Sequence, residues 1–335
     1  MSVTHGDHHQ ASAGHAPPAV TQPLDARFTS TTWSTERERG SVALLSAFAW
    51  VALHCGRRAA RLLLWPTTAY FFLFGGTARR ASKAWLNRVL PGPATWRDGL
   101  RHVFAFASVT LDRVYFLNAH FDRFDLRVYG AEHCIGHSQA TPGIFMLGAH
   151  VGSFEATRAI AHQQPGLEVA LLMYEENAKM IGRVLQAINP QAAQEIIALG
   201  QLDSMLHLRD RLDQGVVVGM LADRTLADDD VLVVNFFGAP VRLPAGPFRL
   251  AAILRRPILL MLGLYCGGNR YDVHFEPIHD FSAPAQARIP RAQGVQQAAE
   301  QYVARLEHFC RLHPYNWFNF YDFWQQGQSP QTPTP

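Results

Sequence analysis

Hydrophobic positions along the chain fall into three regimes. Residues 42–55 and 62–74 are apolar almost without interruption, with Gly56-Arg57-Arg58 between the two runs and Arg79-Arg80 beyond the second. Over 96–120 the apolar residues Leu100, Val103, Phe104, Ala107, Val109 and Leu111 recur at helical spacing. Beyond that, short apolar runs at 126–129, 144–147, 169–173, 196–199, 216–221, 231–236, 258–264 and 271–275 read as strands. Helix-period segments lie among them at 153–162, 178–188, 202–212, 246–255 and 294–312. Parallel neighbours need helical crossovers, so this alternation predicts an α/β fold: a largely parallel mixed sheet flanked by helices on both faces.

The first regime needs a separate account. Each apolar run is shorter than the roughly 20 residues that cross a hydrocarbon core upright. A continuous helix would bring Arg57, Arg58 and Arg61 to mid-bilayer at about 2.5 to 3.5 kcal/mol each. Two short interfacial or partly inserted helices are therefore expected, with the arginines facing headgroup phosphates and Trp50, Trp65, Tyr70 and Trp85 at the boundary. The alternative is a pair of buried core helices. The expected organisation is a disordered tail over 1–35, membrane-associating helices over 36–92, an α/β domain over 93–324 and a second disordered tail over 325–335.

Composition sharpens this picture in a few places. A hydrophobic share of 48% against 17% charged suits a protein that keeps apolar surface against lipid. A net charge of +3, with no basic run interleaved with aromatics, argues against nucleic acid. Cys55, Cys134, Cys266 and Cys310 are scattered without a C-x-x-C pair, so no zinc site or disulfide framework is signalled and a reduced, cytosol-facing compartment fits. His5, His8, His9 and His15 sit in a polar tail that reads as solvated rather than metal-binding.

The sharpest feature for chemistry is Gly143-Ile-Phe-Met-Leu-Gly-Ala-His150-Val-Gly-Ser-Phe-Glu155. A buried-looking strand ends at Gly148 and a helix begins near Ser153, so His150 falls at the carboxyl edge of the sheet, where α/β sites gather. An imidazole ionises close enough to neutrality to take a proton from a hydroxyl. Glu155, in the first helical turn, is close enough in sequence to orient the ring. Gly148, Ala149 and Gly152 would keep the backbone open to a ligand. The plainer reading is a core histidine followed by a glutamate favouring a helix N-terminus.

Gly-Ala-His150-Val-Gly-Ser-Phe-Glu155 resembles the first motif of the lipid A biosynthesis (lauroyl/myristoyl) acyltransferase family, within the glycerolipid acyltransferases. Leu221-Ala-Asp223-Arg224, Phe236-Phe-Gly-Ala-Pro240, Pro244-Ala-Gly-Pro247 and Arg256-Pro-Ile follow in the family's order, and Trp33-x-x-x-Glu36-Arg-x-Arg39-Gly40 is similar to its opening. The resemblance spans roughly residues 33–324. It implies an O-acyltransferase that moves a fatty acyl group from an acyl-carrier-protein or coenzyme A thioester to a lipid or glycolipid hydroxyl. It implies His150 as general base and Glu155 as its partner, no metal or other cofactor, and the cytoplasmic face of a bacterial inner membrane as location. Gly152, Ser153, Arg158, Asp223, Arg224, Phe237 and Gly238 become candidate substrate contacts.

Several of these have a second reading. Arg224 would stabilise an oxyanion or grip a phosphate, or would join a surface salt bridge with Asp228, Asp229 or Asp230. Phe237-Gly238 and the Gly and Pro residues near 246 also suit ordinary turns. Arg158, Lys179 and Arg183 would meet an acidic carrier or an anionic headgroup, or simply face solvent. The ending Pro314-Tyr-Asn-Trp317-Phe-Asn-Phe-Tyr321-Asp322-Phe-Trp324 would line an acyl tunnel, touch a bilayer or pack as a C-terminal strap. Two rivals stand beside the transferase: a serine hydrolase or thioesterase built on Gly136-His137-Ser138, weakened because Thr141-Pro142-Gly143 breaks the helix such an elbow needs, and a non-catalytic lipid-binding protein of the same fold.

Overall fold

The structure is a computed structural model and describes residues 42–134, 143–162, 167–175, 177–178, 188–189, 195–200, 202–226 and 230–324. The expected terminal tails, the 33–40 motif, the helix proposed around Lys179 and Arg183, Ser138 and the Asp228-Asp229 pair lie wholly or mainly outside those residues.

Three helices lead into the sheet: α1 (Val42–Phe74), α2 (Gly76–Val89) and α3 (Trp96–Leu117). The break expected at Gly56 is present, since Gly56 is non-helical (φ 80°, ψ 159°) and divides α1 into two segments. Of the three arginines after it, Arg58 is exposed, but Arg57 and Arg61 do not face outward as expected. Arg57 makes a two-pronged pair with the buried Asp112 of α3, at 2.7 Å on each oxygen, and Arg61 donates to the Tyr265 hydroxyl and the Gly268 carbonyl. Their forks meet fixed acceptors on the protein body. Trp85 is also a correction, being buried among Phe236, Trp317 and Trp324 rather than at a lipid boundary.

The remaining elements are β1 (Asp125–Tyr129), β2 (Ile144–Gly148), α4 (Phe154–His162), β3 (Val169–Tyr174), β4 (Glu195–Leu199), α5 (Leu202–Asp213), β5 (Val217–Leu221), β6 (Val231–Phe236), β7 (Ala239–Pro244), α6 (Gly246–Leu254), β8 (Pro257–Tyr265), β9 (Arg270–Asp280) and α7 (Arg291–Leu312). Seven strands form one sheet in the order β1-β9-β8-β2-β5-β3-β4, parallel throughout except between β8 and β9. Central β2 is buried on both faces. Phe145 and Leu147 point into a core shared with Val303 and Leu306 of α7, Leu208 of α5 and Trp85 of α2. Ile144 and Met146 point the other way, toward Leu111 of α3, Ala156 of α4 and Leu64 of α1. This is the period-2 alternation of a strand covered by helices on both sides. One strand was not expected: β7 pairs with β6 in a separate antiparallel hairpin, turning at Phe237-Gly238.

After α7 the chain returns across the sheet edge as an aromatic strap. Trp317, Phe318 and Phe323 are buried, with Trp317 stacked on Trp85 at 5.1 Å, so the strap packs as core. Its carbonyl at Trp317 accepts from His102 Nε2 at 2.6 Å, and Ser82 Oγ lies 2.8 Å from Nδ1 of the same ring. The carbonyl has no proton, so Nε2 carries one and Ser82 donates to a neutral ring.

Complete burial pushes the His102 pKa down to about 4 from 6.5. Between those values the unfolded chain binds the proton that the folded chain refuses, so stability is full above pH 6.5 and falls as pH drops toward 4, by up to about 3 kcal/mol. Urea unfolding at pH 7 and pH 4.5 should show that loss, and His102→Gln should flatten the dependence. An unchanged slope in the variant would refute the assignment.

Candidate functional site

Position 150 owes its surroundings to strand register. In the β2–β5 ladder Gly148 lies opposite Leu221, and Ala222 N–H donates to the Gly148 carbonyl at 3.0 Å. Two residues past each strand end, the same offset brings His150 opposite Asp223. Their side chains meet: His150 Nδ1 is 2.9 Å from Asp223 Oδ1, and the His150 backbone N–H donates to Oδ2 at 3.1 Å. The carboxylate can only accept, so Nδ1 carries the proton and Nε2 is left with its lone pair. The His150 side chain is 29% exposed and Asp223 wholly buried.

The carboxylate against the His150 ring is therefore Asp223 and not Glu155, the partner expected from its place in the first helical turn. Ser153 caps α4, its Oγ accepting from Ala156 N–H at 3.2 Å. Glu155 sits in the first turn of that helix, a favourable end for negative charge. Its carboxylate pairs with Arg113 of α3 at 2.5 Å and accepts from Ser153 Oγ at 3.4 Å. Arg158, one turn further along α4, also feels the Glu155 charge, while burial lowers its own pKa.

Gly152 has a structural rather than an open-site reason to be glycine. Its φ is 65°, its N–H donates to Asn316 O at 2.9 Å, and it bridges Gly263 of β8. A β-carbon there would lie 2.1 Å from the Gly263 carbonyl oxygen. Phe237 and Gly238 are also placed by backbone needs. Both have positive φ, 49° and 74°, as a two-residue hairpin turn of this twist requires. Phe237 N–H donates to Glu307 at 2.7 Å, and the ring carries the Arg311 guanidinium 4.9 Å from its centroid.

Arg224 reaches toward the strap. Its Nε donates to Asn319 Oδ1 at 2.7 Å, and a terminal nitrogen lies 3.4 Å from Phe318 O. Asp230, offered above as a salt-bridge partner, instead pairs with Arg249. Asn319, not anticipated, closes the cluster by donating from Nδ2 to Asp223 Oδ2 at 2.8 Å. The strap also grips the histidine turn itself, with Phe318 N–H donating to His150 O at 2.7 Å.

Electrostatics follow from this packing. Desolvation lowers the His150 pKa, and the Arg224 and Arg113 charges push the same way against the pull of Asp223, so the net direction is down. Burial opposes ionisation of Asp223, but His150, Arg224 and Asn319 together hold it well below the usual carboxylate range. At neutral pH the pair is a neutral imidazole on a carboxylate, the combination able to accept a proton at Nε2.

Gly152→Ala should lower stability by about 2 kcal/mol or more, because the bridge to β8 cannot accommodate the methyl. A urea midpoint equal to that of the parent chain would contradict this geometry.

Compared with individual curated proteins, the chain has no significant match. Compared with protein families, residues 34–326 match the family described as bacterial lipid A biosynthesis acyltransferase.

Proposed function

The chain belongs to the bacterial lipid A biosynthesis acyltransferase family, and from that premise we propose that His150, oriented by Asp223, is the general base that transfers a fatty acyl group from a thioester to a lipid or glycolipid hydroxyl. The observation that carries this reading is the 2.9 Å contact between Nδ1 and Asp223 Oδ1, which leaves Nε2 as the basic atom. Nε2 takes the hydroxyl proton as oxygen attacks the thioester carbonyl. The tetrahedral oxyanion then collapses, the C–S bond breaks, and the thiolate leaves with the proton returned by the imidazolium. Negative charge on that oxyanion develops near Arg224 and Arg113, whose charges already act on the ring. An acyl-carrier-protein thioester is the proposed donor, with acyl-coenzyme A the alternative.

The same reading places the chain on the cytoplasmic surface of a membrane. No described helix is long and apolar enough to cross one. Trp50, Leu62, Trp65, Tyr70, Phe71 and Phe74 of α1 are nonetheless exposed, and the following α2 carries Arg79, Arg80, Lys83 and Arg88 without an acidic residue. Aromatic side chains beside basic ones suit an anionic lipid surface. That apolar side continues toward the site: Phe104 of α3 packs on Trp65, and Phe106, also exposed, meets Phe318 at 5.3 Å.

Release of free thiol from acyl-carrier-protein thioester with membrane lipid present tests the chemistry. His150→Ala should lose at least about 1,000-fold in turnover and Asp223→Asn about 100-fold or more, whereas Glu155→Gln, which touches Arg113 and Ser153 rather than the His150 ring, should lose less than either. Because the His150 pKa is lowered, the acid limb of kcat/KM should fall below pH 6.5, with activity lost as pH drops through it. Near-normal turnover in His150→Ala would overturn the base assignment.

Sedimentation with anionic phospholipid vesicles tests the surface. Replacing Trp65, Phe71 and Phe74 together by serine should weaken binding at least about tenfold. Equal binding would remove α1 from the lipid contact.

A further inference from the structure

The strap residue Asn319 is almost fully buried and lies between two groups of opposite charge. It donates from Nδ2 to Asp223 Oδ2 at 2.8 Å and accepts at Oδ1 from Arg224 Nε at 2.7 Å. A carboxylate can only accept and a guanidinium can only donate, so one orientation of the amide satisfies both neighbours and the flipped one satisfies neither. The amide thus links the charge of Arg224 to the carboxylate that orients His150. Just before Asn319 the strap backbone is tied twice to the histidine turn, Phe318 N–H to His150 O at 2.7 Å and Gly152 N–H to Asn316 O at 2.9 Å.

We propose that Asn319 is a positioning residue of this site: its side chain holds the Asp223 carboxylate where it meets the His150 ring and keeps Arg224 beside it. Leucine at 319 would fill similar volume but leave a buried carboxylate oxygen and a guanidinium N–H without this partner. Aspartate would still accept from Arg224 but would set a second carboxylate against Asp223. In both cases His150 feels more negative charge, because an amide donor no longer shares the charge on Asp223. The other titratable groups around the pair are Arg113 and Arg224 near the ring, with Tyr302, Tyr321 and Cys310 near Asp223.

The test uses the full chain and reads His150 directly. Diethyl pyrocarbonate modifies neutral imidazole, and the initial rate at His150, followed by peptide mass spectrometry across pH, gives the midpoint of its ionisation without any acyl substrate. Asn319→Asp should raise that midpoint by about one pH unit, and Asn319→Leu should raise it in the same direction. Turnover in the thioester assay should fall about tenfold or more for Asn319→Leu with KM little changed, and circular dichroism should match the parent. A wild-type midpoint in either folded variant overturns the proposal, and so does failure of both variants to fold, since Asn319 would then serve only to build the strap. The turnover arm rests on the acyl-transfer reading. If the parent chain transfers no acyl group but the midpoint shifts, the positioning role stands and the acyl-transfer reading falls.

Discussion

Burial of the Asp223 carboxylate is the constraint around which the site is organised. An ionised carboxylate removed from water without partners costs several kcal/mol at least, so a chain that buries one must surround it with donors. Asp223 has the His150 ring, the His150 backbone N–H and the Asn319 amide, with the Arg224 charge beside them. The parallel register of β2 and β5 supplies the first two at once. The third must come from elsewhere in the chain, and it comes from the C-terminal strap.

That requirement explains why so much backbone bonding converges on a short turn. Residues 150–153 are held on one side by the strap, through Phe318 and Asn316, and on the other by the Gly263 carbonyl of β8. Asn316 is itself clamped to both backbone groups of Tyr265, so strap, β8 and turn form one hydrogen-bonded layer above the sheet edge. A histidine on a loose loop would sample many orientations. Here the loop has little freedom to lose, the preorganisation that the proposed role of His150 as a base would need.

Much of this architecture was legible in local sequence. Period-2 and period-3.6 patterns place most strand and helix ends within about three residues, because each element buries an apolar face, but β9 runs to Asp280, well beyond the 271–275 expected for it. The Gly56 break and the position of His150 at a strand end were equally local. What failed was pairing between distant residues. Glu155 is five residues from His150 and looked like its partner, but the helix beginning at Phe154 turns it toward Arg113, while Asp223 arrives from 73 positions away through strand register. A signal was present, since Ala149-His150 and Ala222-Asp223 each follow an apolar run at the same offset. β7 was hidden by Pro240 and Pro244, residues that disfavour interior strands but are tolerated in a two-stranded hairpin. Arg57 and Arg61 were misassigned because amphipathic spacing identifies a polar side without saying whether water, lipid or protein meets it.

Helix α3 connects the features that local patterns could not link. Its capping box of Thr95 and Asp98 fixes the start, and Tyr315 of the strap donates to that same Asp98. His102 then holds the strap carbonyl at Trp317, Phe106 packs on Phe318, Asp112 binds Arg57 of α1, and Arg113 binds Glu155 of α4. A single 22-residue helix therefore touches the strap, the helix after the His150 turn and the apolar N-terminal helix. Breaking the buried Arg57–Asp112 pair would leave an uncompensated charge at a cost of about 3 to 5 kcal/mol, so the angle between α1 and α3 is strongly held. The exposed aromatic side of α1 and the His150 turn are in this way parts of one rigid frame. A lipid surface that receives α1 would meet the site in a fixed orientation rather than through a flexible tether.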